Sequence, residues 1–334
     1  MRRLLSMCLA LALLLCGCGK QEARGAVTLW CASDDPLLPA LRQAAEDYAR
    51  LKKDAMALSL REFESAEALQ SALNTARPEL LLCSHTLAFA LSEEGLLGTA
   101  SVSVRYPDSL AQRAEGIGSS VFPLGSRVQL LLTCETDTPR ELFALCAWAL
   151  AQQRPCLAAD SYADLICQSM LGTGEFHADR GRDCFSPAFQ RAWNALADCA
   201  FSGSLYTGAF LPGASDAAFV YADRLTGGVP AGFTLSAPEA APRLADLRCL
   251  ALTRPSRGAS AFLSWLFDGE RPGSLALESG LIPALPGGEA AGELPALLLS
   301  LRDEALWLPD GGSDFVKNRA AFEADFREAM DLLR

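Results

Sequence analysis

The sequence predicts an α/β fold organised as two lobes. Between residues 26 and 95, segments patterned as buried strands alternate with segments of helical periodicity, an order that forms β-α-β-α-β units with a parallel sheet. Half of the residues are hydrophobic, which favours a packed globule. Removal of residues 1–17, which have the pattern of a leader, leaves 317 of the 334 residues, more than one small core requires.

The first lobe of this prediction begins with three strands and three helices. Leu38, Leu41, Ala45 and Tyr48 recur on one face of the first helix, and Ser65 stands where it can cap the second. The strands are predicted within residues 26–35, 57–63 and 78–85, and the helices within 37–51, 66–76 and 86–95. Because ligands bind beyond the carboxyl ends of parallel strands, we expect binding loops at 31–35, 64–65 and 83–85.

The rest of the chain continues the alternation. Residues 119–134 are extended and apolar, and Thr138 to Glu141 read as a capping box that opens a helix to Gln153. Stretches rich in Gly, Pro and Ala at 238–242 and 283–292 are predicted to be loops or lobe crossings. Further strands are predicted within 154–160, 216–224 and 244–253, and further helices within 161–174, 186–201, 259–267 and 314–333.

The amino terminus predicts export. Arg2 and Arg3 precede an apolar run over residues 4–15, which is too short to cross a bilayer as a helix and typical of a secretory signal. The segment from Leu15 to Cys18 resembles a bacterial lipobox, which implies a lipid on Cys18, with residues 18–25 as a tether. The alternative is an ordinary signal peptide with incidental cysteines. Both place the protein outside the cytoplasm, and the first predicts the extracytoplasmic face of the cell membrane.

Charge and cysteine content exclude several classes. The chain has 29 basic and 40 acidic side chains, so it repels nucleic-acid phosphates and anionic lipid headgroups, and no nucleic-acid partner is predicted. No C-x-x-C pair is present, which argues against zinc-ribbon and thioredoxin-like sites. Most of the nine cysteines beyond Cys18 are expected to be small buried hydrophobic residues. They are Cys31, Cys83, Cys134, Cys146, Cys156, Cys167, Cys184, Cys199 and Cys249.

Catalytic motifs are missing from plausible positions. The chain has two histidines, His85 and His177, and lacks H-E-x-x-H, P-loop and G-x-S-x-G patterns. Asp34 and Asp35 could form a carboxylate pair for acid–base or glycosidic chemistry, although a ligand-binding loop is the simpler interpretation. The sequence therefore predicts no cofactor, no metal and no enzyme, with an exported hydrolase using Asp34 or Asp35 as the weakest alternative.

Several phrases occur in an order that resembles one family. They are "VTLW", "ARPELLLCSHTLAFALSEEGLL", "VFPLGSRVQLLLTC", "LAADSYADLICQSML", "SPAFQRAWNALADCAFSGSLY" and "CLALTRPSRGASAFLSWLF". This order resembles the extracellular solute-binding proteins of bacterial ABC importers, family 1, which includes maltose- and oligosaccharide-binding proteins. The resemblance implies the type II periplasmic-binding-protein fold, in which parallel-sheet lobes are joined by crossing strands. It implies one lobe of residues 26–124 plus 247–306 and another of 125–246 plus 307–334.

The resemblance also implies function. A small solute, a sugar or an oligosaccharide, would be held between the lobes, hinge closure would follow, and the ligand would pass to the transmembrane subunits of an ABC permease. A lipid on Cys18 would hold the receptor at the membrane. The alternative is a lipoprotein of the same fold that acts as a sensor subunit or a surface interaction protein.

The family's cleft positions in the first lobe fall in two loops of this chain. The loop after the first strand supplies Ser33, Asp34 and Asp35, which are expected to accept hydrogen bonds from ligand hydroxyl groups. The loop after the third strand supplies Ser84 and His85. Family members often carry a tryptophan where this chain has Cys83, so a stacking platform is missing there.

In the second lobe the resemblance implies five more contacts. Tyr162 falls where relatives carry an aromatic residue that stacks on a sugar ring, and Arg127 falls at a polar contact. Tyr221, Asp223 and Arg224 follow a buried strand, and Trp307 is a further candidate. Arg127 and Arg224 together could bind a carboxylate or phosphate, which makes an anionic sugar an alternative ligand. A disulfide between Cys31 and Cys83 is a further hypothesis, which requires their Cα atoms to be under about 7 Å apart.

Overall fold

The computed structural model describes residues 26–52, 58–111, 116–173, 187–208, 210–239, 243–244, 246–302, 304, 306–307 and 314–333. The predicted signal, the tether with Cys18, and also His177 and Cys184 lie outside the described residues. Across the described part of the chain, every helix is too short or too polar to span a bilayer.

The strands alternate with helices through most of the chain. The strands are β1 Val27–Ala32, β2 Leu58–Phe63, β3 Leu80–Ser84, β4 Val121–Arg127, β5 Gln129–Thr133, β6 Leu157–Ala159, β7 Leu205–Tyr206, β8 Ala217–Tyr221, β9 Thr234–Ser236, β10 Arg243–Leu244, β11 Asp246–Leu252, β12 Ile282–Pro283 and β13 Leu306–Trp307.

The helices cover the sheets. They are α1 Leu38–Leu51, α2 Ala66–Leu73, α3 His85–Glu93, α4 Asp108–Ala111, α5 Leu142–Gln152, α6 Tyr162–Thr173, α7 Pro187–Phe201, α8 Arg257–Leu266, α9 Arg271–Glu278, α10 Glu293–Leu301 and α11 Asp314–Leu333, with a 3₁₀ helix at Ala222–Leu225.

The first lobe is a six-stranded sheet in the order β12-β4-β11-β3-β1-β2. Strands β1, β2 and β3 are parallel, which confirms the predicted β-α-β-α-β unit. Because these strands are largely apolar, side chains on both faces of the sheet are buried: Leu29 and Leu82 belong to one core, Trp30 and Leu81 to another. The carboxyl ends of the parallel strands therefore lie at one edge, where the predicted loops follow.

The second lobe is a five-stranded sheet in the order β7-β6-β8-β5-β9. Its core contains Leu131, Phe219 and the inward faces of α5, α6 and α7. The last helix, α11, packs on this core through the buried side chains of Phe326 and Met330.

The chain crosses between the lobes without a loop at Val128. Strand β4 of the first sheet ends at Arg127, and β5 of the second sheet begins at Gln129. The buried side chain of Val128 therefore stands between two strands of different sheets. The predicted lobe boundary between residues 124 and 125 stays a prediction. The chain passes from the first sheet to the second at Val128.

The predicted capping box at Thr138 to Glu141 is wrong by three residues. Helix α5 begins at Leu142, and Glu141 is its N-cap, because its carboxylate accepts the N–H groups of Phe143 (3.0 Å) and Ala144 (2.9 Å). The Thr138 hydroxyl instead donates to the carbonyl of Glu135.

The hypothesis of a Cys31–Cys83 disulfide is also wrong. Both residues are free and buried, and they belong to cores on opposite faces of the first sheet. Successive side chains of a strand alternate between the faces, so neighbouring strands can still direct two cysteines apart. The residue that stands opposite Cys83 is Cys249 on the antiparallel strand β11.

Candidate functional site

A cleft of about 980 Å³ lies between the two sheets. The first lobe contributes the ends of β1 and β3 and the start of α2, including Asp34, Ser84 and Glu67. The second lobe contributes residues around the starts of α5 and α6, including Phe143 and Asp160. A cleft of this size at the carboxyl ends of parallel strands is a typical ligand site.

Asp34 and Asp35 are adjacent in sequence but have different environments. Asp34 is exposed at the cleft surface. Asp35 is 4% exposed, and its Oδ1 accepts the N–H of Leu37 at 3.0 Å, which fixes the start of the turn into α1. Burial raises the pKa of Asp35, while the charge of Arg248 and the Leu37 N–H lower it, and the net direction is upward.

Arg248 stands between two carboxylates at the base of the cleft. Its Nε lies 3.7 Å from Asp35 Oδ2, and its Nη1 lies 3.7 Å from Asp246 Oδ2. Both distances fit an ion pair but are too long for a hydrogen bond. Burial lowers the pKa of Arg248, yet the two carboxylates outweigh that effect and raise it.

Ser84 and His85 mark the junction of β3 and α3, and both line the cleft. The Ser84 hydroxyl is 2.8 Å from that of Thr86. His85 is buried, and its Nδ1 accepts the N–H of Leu247 at 3.2 Å and lies 3.8 Å from Asp246. The accepted N–H fixes an unprotonated Nδ1, so His85 is tied to strand β11 as well as to the cleft.

Arg127 and Tyr221 line the cleft as a stacked pair. The guanidinium carbon of Arg127 lies 3.9 Å from the centre of the Tyr221 ring. Arg127 also donates two hydrogen bonds to Asp223, from Nε at 2.7 Å and from Nη2 at 2.9 Å. Burial lowers the pKa of Arg127, but the hydrogen bonds and charge of Asp223 raise it overall.

Asp160 is the partner of Arg224. Its Oδ1 pairs with the Arg224 guanidinium, and its Oδ2 accepts the N–H of Tyr221 at 2.8 Å. Burial raises the pKa of Asp160, whereas the Tyr221 N–H and the charge of Arg224 lower it, and the net direction is upward. The Tyr221 hydroxyl donates to Asp164 Oδ2 at 2.7 Å. These contacts fix the second wall of the cleft by hydrogen bonds within the second lobe.

The carboxyl-terminal helix reaches the cleft through Glu323. Its Oε2 accepts the N–H of Ala163 at 2.8 Å and the Ser161 hydroxyl at 3.2 Å, and its Oε1 accepts from Arg327 at 2.7 Å. Glu323 therefore caps the start of α6 from a helix more than 150 residues away in sequence, and it lines the cleft.

Tyr162 is placed differently from its prediction. Tyr162 was expected to stack on a sugar ring, but it is the first residue of α6 and is fully buried. Its ring stacks on Phe326 at 5.1 Å, and its hydroxyl donates to the carbonyl of Tyr206 at 2.6 Å. It lies outside the set of cleft-lining residues, because the last helix provides a core that the local sequence does not reveal.

The structure brings six of the ten predicted site residues to the cleft wall: Asp34, Asp35, Ser84, His85, Arg127 and Tyr221. Ser33, Tyr162, Asp223 and Arg224 lie behind or beside it. The side chain of Trp307 is outside the described part of the structure. Sequence reasoning missed Phe143, Asp246, Arg248 and Glu323. Of these four, only Phe143 could have been found from the local sequence, because it closely follows the segment predicted to cap a helix.

Negative charge predominates among the lining residues that the structure describes. Nine carboxylates and four arginines line the cleft. The carboxylates are Asp34, Asp35, Glu67, Glu141, Asp160, Asp164, Glu239, Asp246 and Glu323, and the arginines are Arg127, Arg140, Arg243 and Arg248. Despite this number of carboxylates, no group of three or more His, Cys, Asp or Glu side chains in the described residues is arranged to hold a metal ion.

Comparison with known proteins identifies the fold. No family model matches the chain, and neither does any curated protein sequence. Solved structures do match it. The maltose-maltodextrin binding protein of Alicyclobacillus acidocaldarius has a TM-score of 0.69 at 14% identity and covers 92% of this chain and 95% of its own.

Two further structures agree. The cyclic alpha-maltosyl-1,6-maltose binding protein from Arthrobacter globiformis has a TM-score of 0.65 at 16% identity, over 93% of this chain and 94% of its own. The GacH receptor of Streptomyces glaucescens GLA.O, solved without ligand and with acarbose, has a TM-score of 0.68 at 14% identity, over 92% of both chains. The predicted two-lobed periplasmic-binding-protein fold is therefore confirmed.

Proposed function

We propose that this chain is a lipid-anchored, extracytoplasmic solute-binding protein that captures a sugar or oligosaccharide between its lobes. The observation that carries the proposal is the cleft of about 980 Å³ at the carboxyl ends of β1 and β3, in a fold similar to that of sugar-binding receptors. Delivery to the transmembrane subunits of an ABC permease and attachment through a lipid on Cys18 complete the proposal. The protein performs no chemistry on its ligand.

The cleft offers groups suited to a hydroxylated ligand. Asp34 and Ser84 present oxygen acceptors from the first lobe. Phe143, half-buried at the start of α5, presents the aromatic surface of the second lobe. The face of Tyr221 is already covered by Arg127, so Phe143 is the aromatic residue we propose for stacking on a sugar ring.

Closure requires the lobes to move about their crossings. Val128 links β4 to β5 directly, so small changes in its backbone angles reorient one sheet against the other. A ligand that contacts both walls then favours the closed form by its differential affinity for the two conformations.

Binding is tested by the melting temperature and small-angle X-ray scattering of the purified chain with maltose, maltotriose and maltotetraose, and with amine-bearing and acidic oligosaccharides of the same lengths. A ligand at 100 times its dissociation constant stabilises the folded state by about 2.7 kcal/mol, and closure decreases the radius of gyration. Phe143→Ala is expected to weaken binding by roughly two- to twelvefold, since an aromatic contact contributes about 0.5–1.5 kcal/mol beyond burial. Absence of any shift across neutral, amine-bearing and acidic saccharides would contradict the proposal.

The anchor and the transport step are tested in cells. Cys18→Ser is expected to move the protein from the membrane fraction to the soluble extracytoplasmic fraction, with its ligand affinity unchanged. Uptake of the bound sugar is expected to fall when the chain is deleted. Normal uptake combined with a lost transcriptional response to the sugar would instead indicate a sensor subunit.

A further inference from the structure

We propose that the cleft is selective for an amine-bearing, positively charged saccharide rather than a neutral or anionic one. This inference rests on the proposed function and specifies its ligand class. The first observation is the charge of the wall: nine carboxylates against four arginines among its described residues. An anionic ligand would add to this excess, whereas a protonated amine would offset part of it.

Three of the four arginines are already neutralised. Arg127 is bound bidentately by Asp223, and Arg243 donates to Glu304 at 2.9 and 3.2 Å. Arg248 stands between Asp35 and Asp246. Arg224, the other arginine expected to capture an anion, is outside the lining set and pairs with Asp160. The two arginines on which the anionic alternative depends therefore already have carboxylate partners.

Several carboxylates, in contrast, have no basic partner. Within the described residues, no Lys, Arg or His nitrogen lies within 4.0 Å of the carboxylates of Asp34, Glu67 or Glu239. Asp34 and Glu67 belong to the first lobe and Glu239 to the second, where its N–H donates to the carbonyl of Arg140. Carboxylates without a basic partner are thus present on both walls. Closure of the lobes around an ammonium group would bring these carboxylates closer to it.

A second, independent observation indicates that the ligand also carries oxygen acceptors. The Nε of Arg248 is buried and has no hydrogen-bond partner among the described residues, and the side chain lines the cleft with 15% of its area exposed. A buried donor without an acceptor is costly, so a lobe movement that brings an acceptor oxygen of the ligand to Nε would be favoured. A hydroxyl oxygen has the matching chemistry, because it can accept from Arg248 and donate to a lining carboxylate. Hydroxyl and ammonium groups on one molecule describe an amino sugar.

The test compares three saccharide series of matched length with the purified chain. Glucosamine oligomers carry amines, their N-acetylated counterparts are neutral, and galacturonic acid oligomers are acidic. Calorimetric titration of di- to tetrasaccharides, at a pH that keeps the amine protonated, is expected to show binding of the amine series at least tenfold tighter than the N-acetylated series. Raising the salt concentration should reduce the difference in affinity between the amine and N-acetylated series, because salt screens the attraction between charges.

Variants localise the effect. Asp34→Asn is expected to lower affinity for the amine series by about three- to tenfold more than for the N-acetylated series, whereas Glu93→Gln, an exposed acid outside the cleft, should change neither. Equal or tighter binding of the N-acetylated or maltose series overturns this inference and leaves the proposed function intact. Tighter binding of the acidic series does the same. Failure of all series, maltose oligomers included, overturns both.

Discussion

The Arg127 guanidinium donates two hydrogen bonds to the Asp223 carboxylate, which joins the end of the first sheet's crossing strand to the second lobe. The two residues are 96 positions apart in sequence. The same guanidinium also lies over the ring of Tyr221, so Arg127 makes both an ion pair and an aromatic contact. The pair therefore has a structural role beside the cleft. Asp223 also occupies the Arg127 guanidinium, which could otherwise bind an anionic ligand.

Removing the Asp223 charge is expected to destabilise the protein and to expose that anion site. The side chain of Arg127 is 23% exposed, and in Asp223→Asn it loses its bidentate carboxylate partner. Breaking a buried pair costs about 3–5 kcal/mol, and partial solvent access decreases the loss to about 2 kcal/mol. Urea unfolding measures this loss. Titration with galacturonic acid oligomers should show affinity gained relative to the unchanged protein.

The matched control for this prediction is the surface pair of Arg50 and Asp47, whose side chains are 68% and 50% exposed. Asp47→Asn is expected to cost less than about 1 kcal/mol, because exposed pairs contribute little. Equal losses in Asp223→Asn and Asp47→Asn would show that the Arg127–Asp223 pair contributes no more than a surface contact.

Tyr162→Phe is expected to reduce stability and leave ligand affinity unchanged. The substitution removes the hydroxyl that donates to the Tyr206 carbonyl, at a cost of about 1 kcal/mol, while the stacked contact with Phe326 remains. Chemical denaturation and saccharide titration of the same preparation measure the two quantities. A variant that folds with unchanged stability but loses affinity would instead give the Tyr162 hydroxyl a direct role in ligand binding.

Asp35 is expected to give a stability change with pH of defined sign. Burial raises its folded-state pKa above the value of about 3.9 in an unfolded chain. Between the unfolded and folded pKa values the native protein binds more protons, so this group's contribution to the unfolding free energy falls as pH rises. Asp35→Asn lacks that contribution.

The measurement is the difference in unfolding free energy, Asp35→Asn minus the unchanged protein, between pH 3.5 and 7. This difference should become more positive with rising pH, by about 1.4 kcal/mol for each unit by which the pKa is raised. Glu93→Gln supplies the baseline. A difference that stays flat or falls would contradict an upward shift at Asp35.

Local sequence patterns were sufficient for the elements and for one wall of the cleft. Alternating strands and helices predicted the parallel unit from β1 to β3, and parallel strands bring their carboxyl ends to one edge, so Asp34, Asp35, Ser84 and His85 could be placed together. Each of these residues lies within four positions of a strand end.

The other wall depends on contacts between distant residues. Burial of Tyr162 requires Phe326, and the carboxylate that caps α6 comes from Glu323, both more than 150 positions away. Arg127 looked available for an anion because its partner, Asp223, is not a neighbour in sequence. Periodicity describes only neighbours within an element, so it could not predict which charges neutralise each other across the lobes.

A glycine keeps the first lobe in close contact with the segment that carries Asp223. Gly280, in the turn between α9 and β12, has φ +70°, and a Cβ atom there would lie 2.5 Å from the Asp223 Cα and 2.7 Å from the Ala222 carbonyl oxygen. Gly280→Ala is therefore expected to cost about 2–4 kcal/mol, from the left-handed backbone and from displacement of the 3₁₀ helix. Urea unfolding measures the cost.

Gly203→Ala separates these two effects. Gly203 has φ +74° but no atom within 4 Å of the position of an added Cβ, so its substitution is expected to cost only the backbone strain of about 1–2 kcal/mol. If close packing against Asp223 matters, Gly280→Ala should lower the unfolding free energy clearly more than Gly203→Ala. It should also give galacturonic acid oligomers access to Arg127, because a displaced Asp223 no longer binds both guanidinium nitrogens. Equal costs and no gain in anion affinity would show that the turn at Gly280 does not position Asp223.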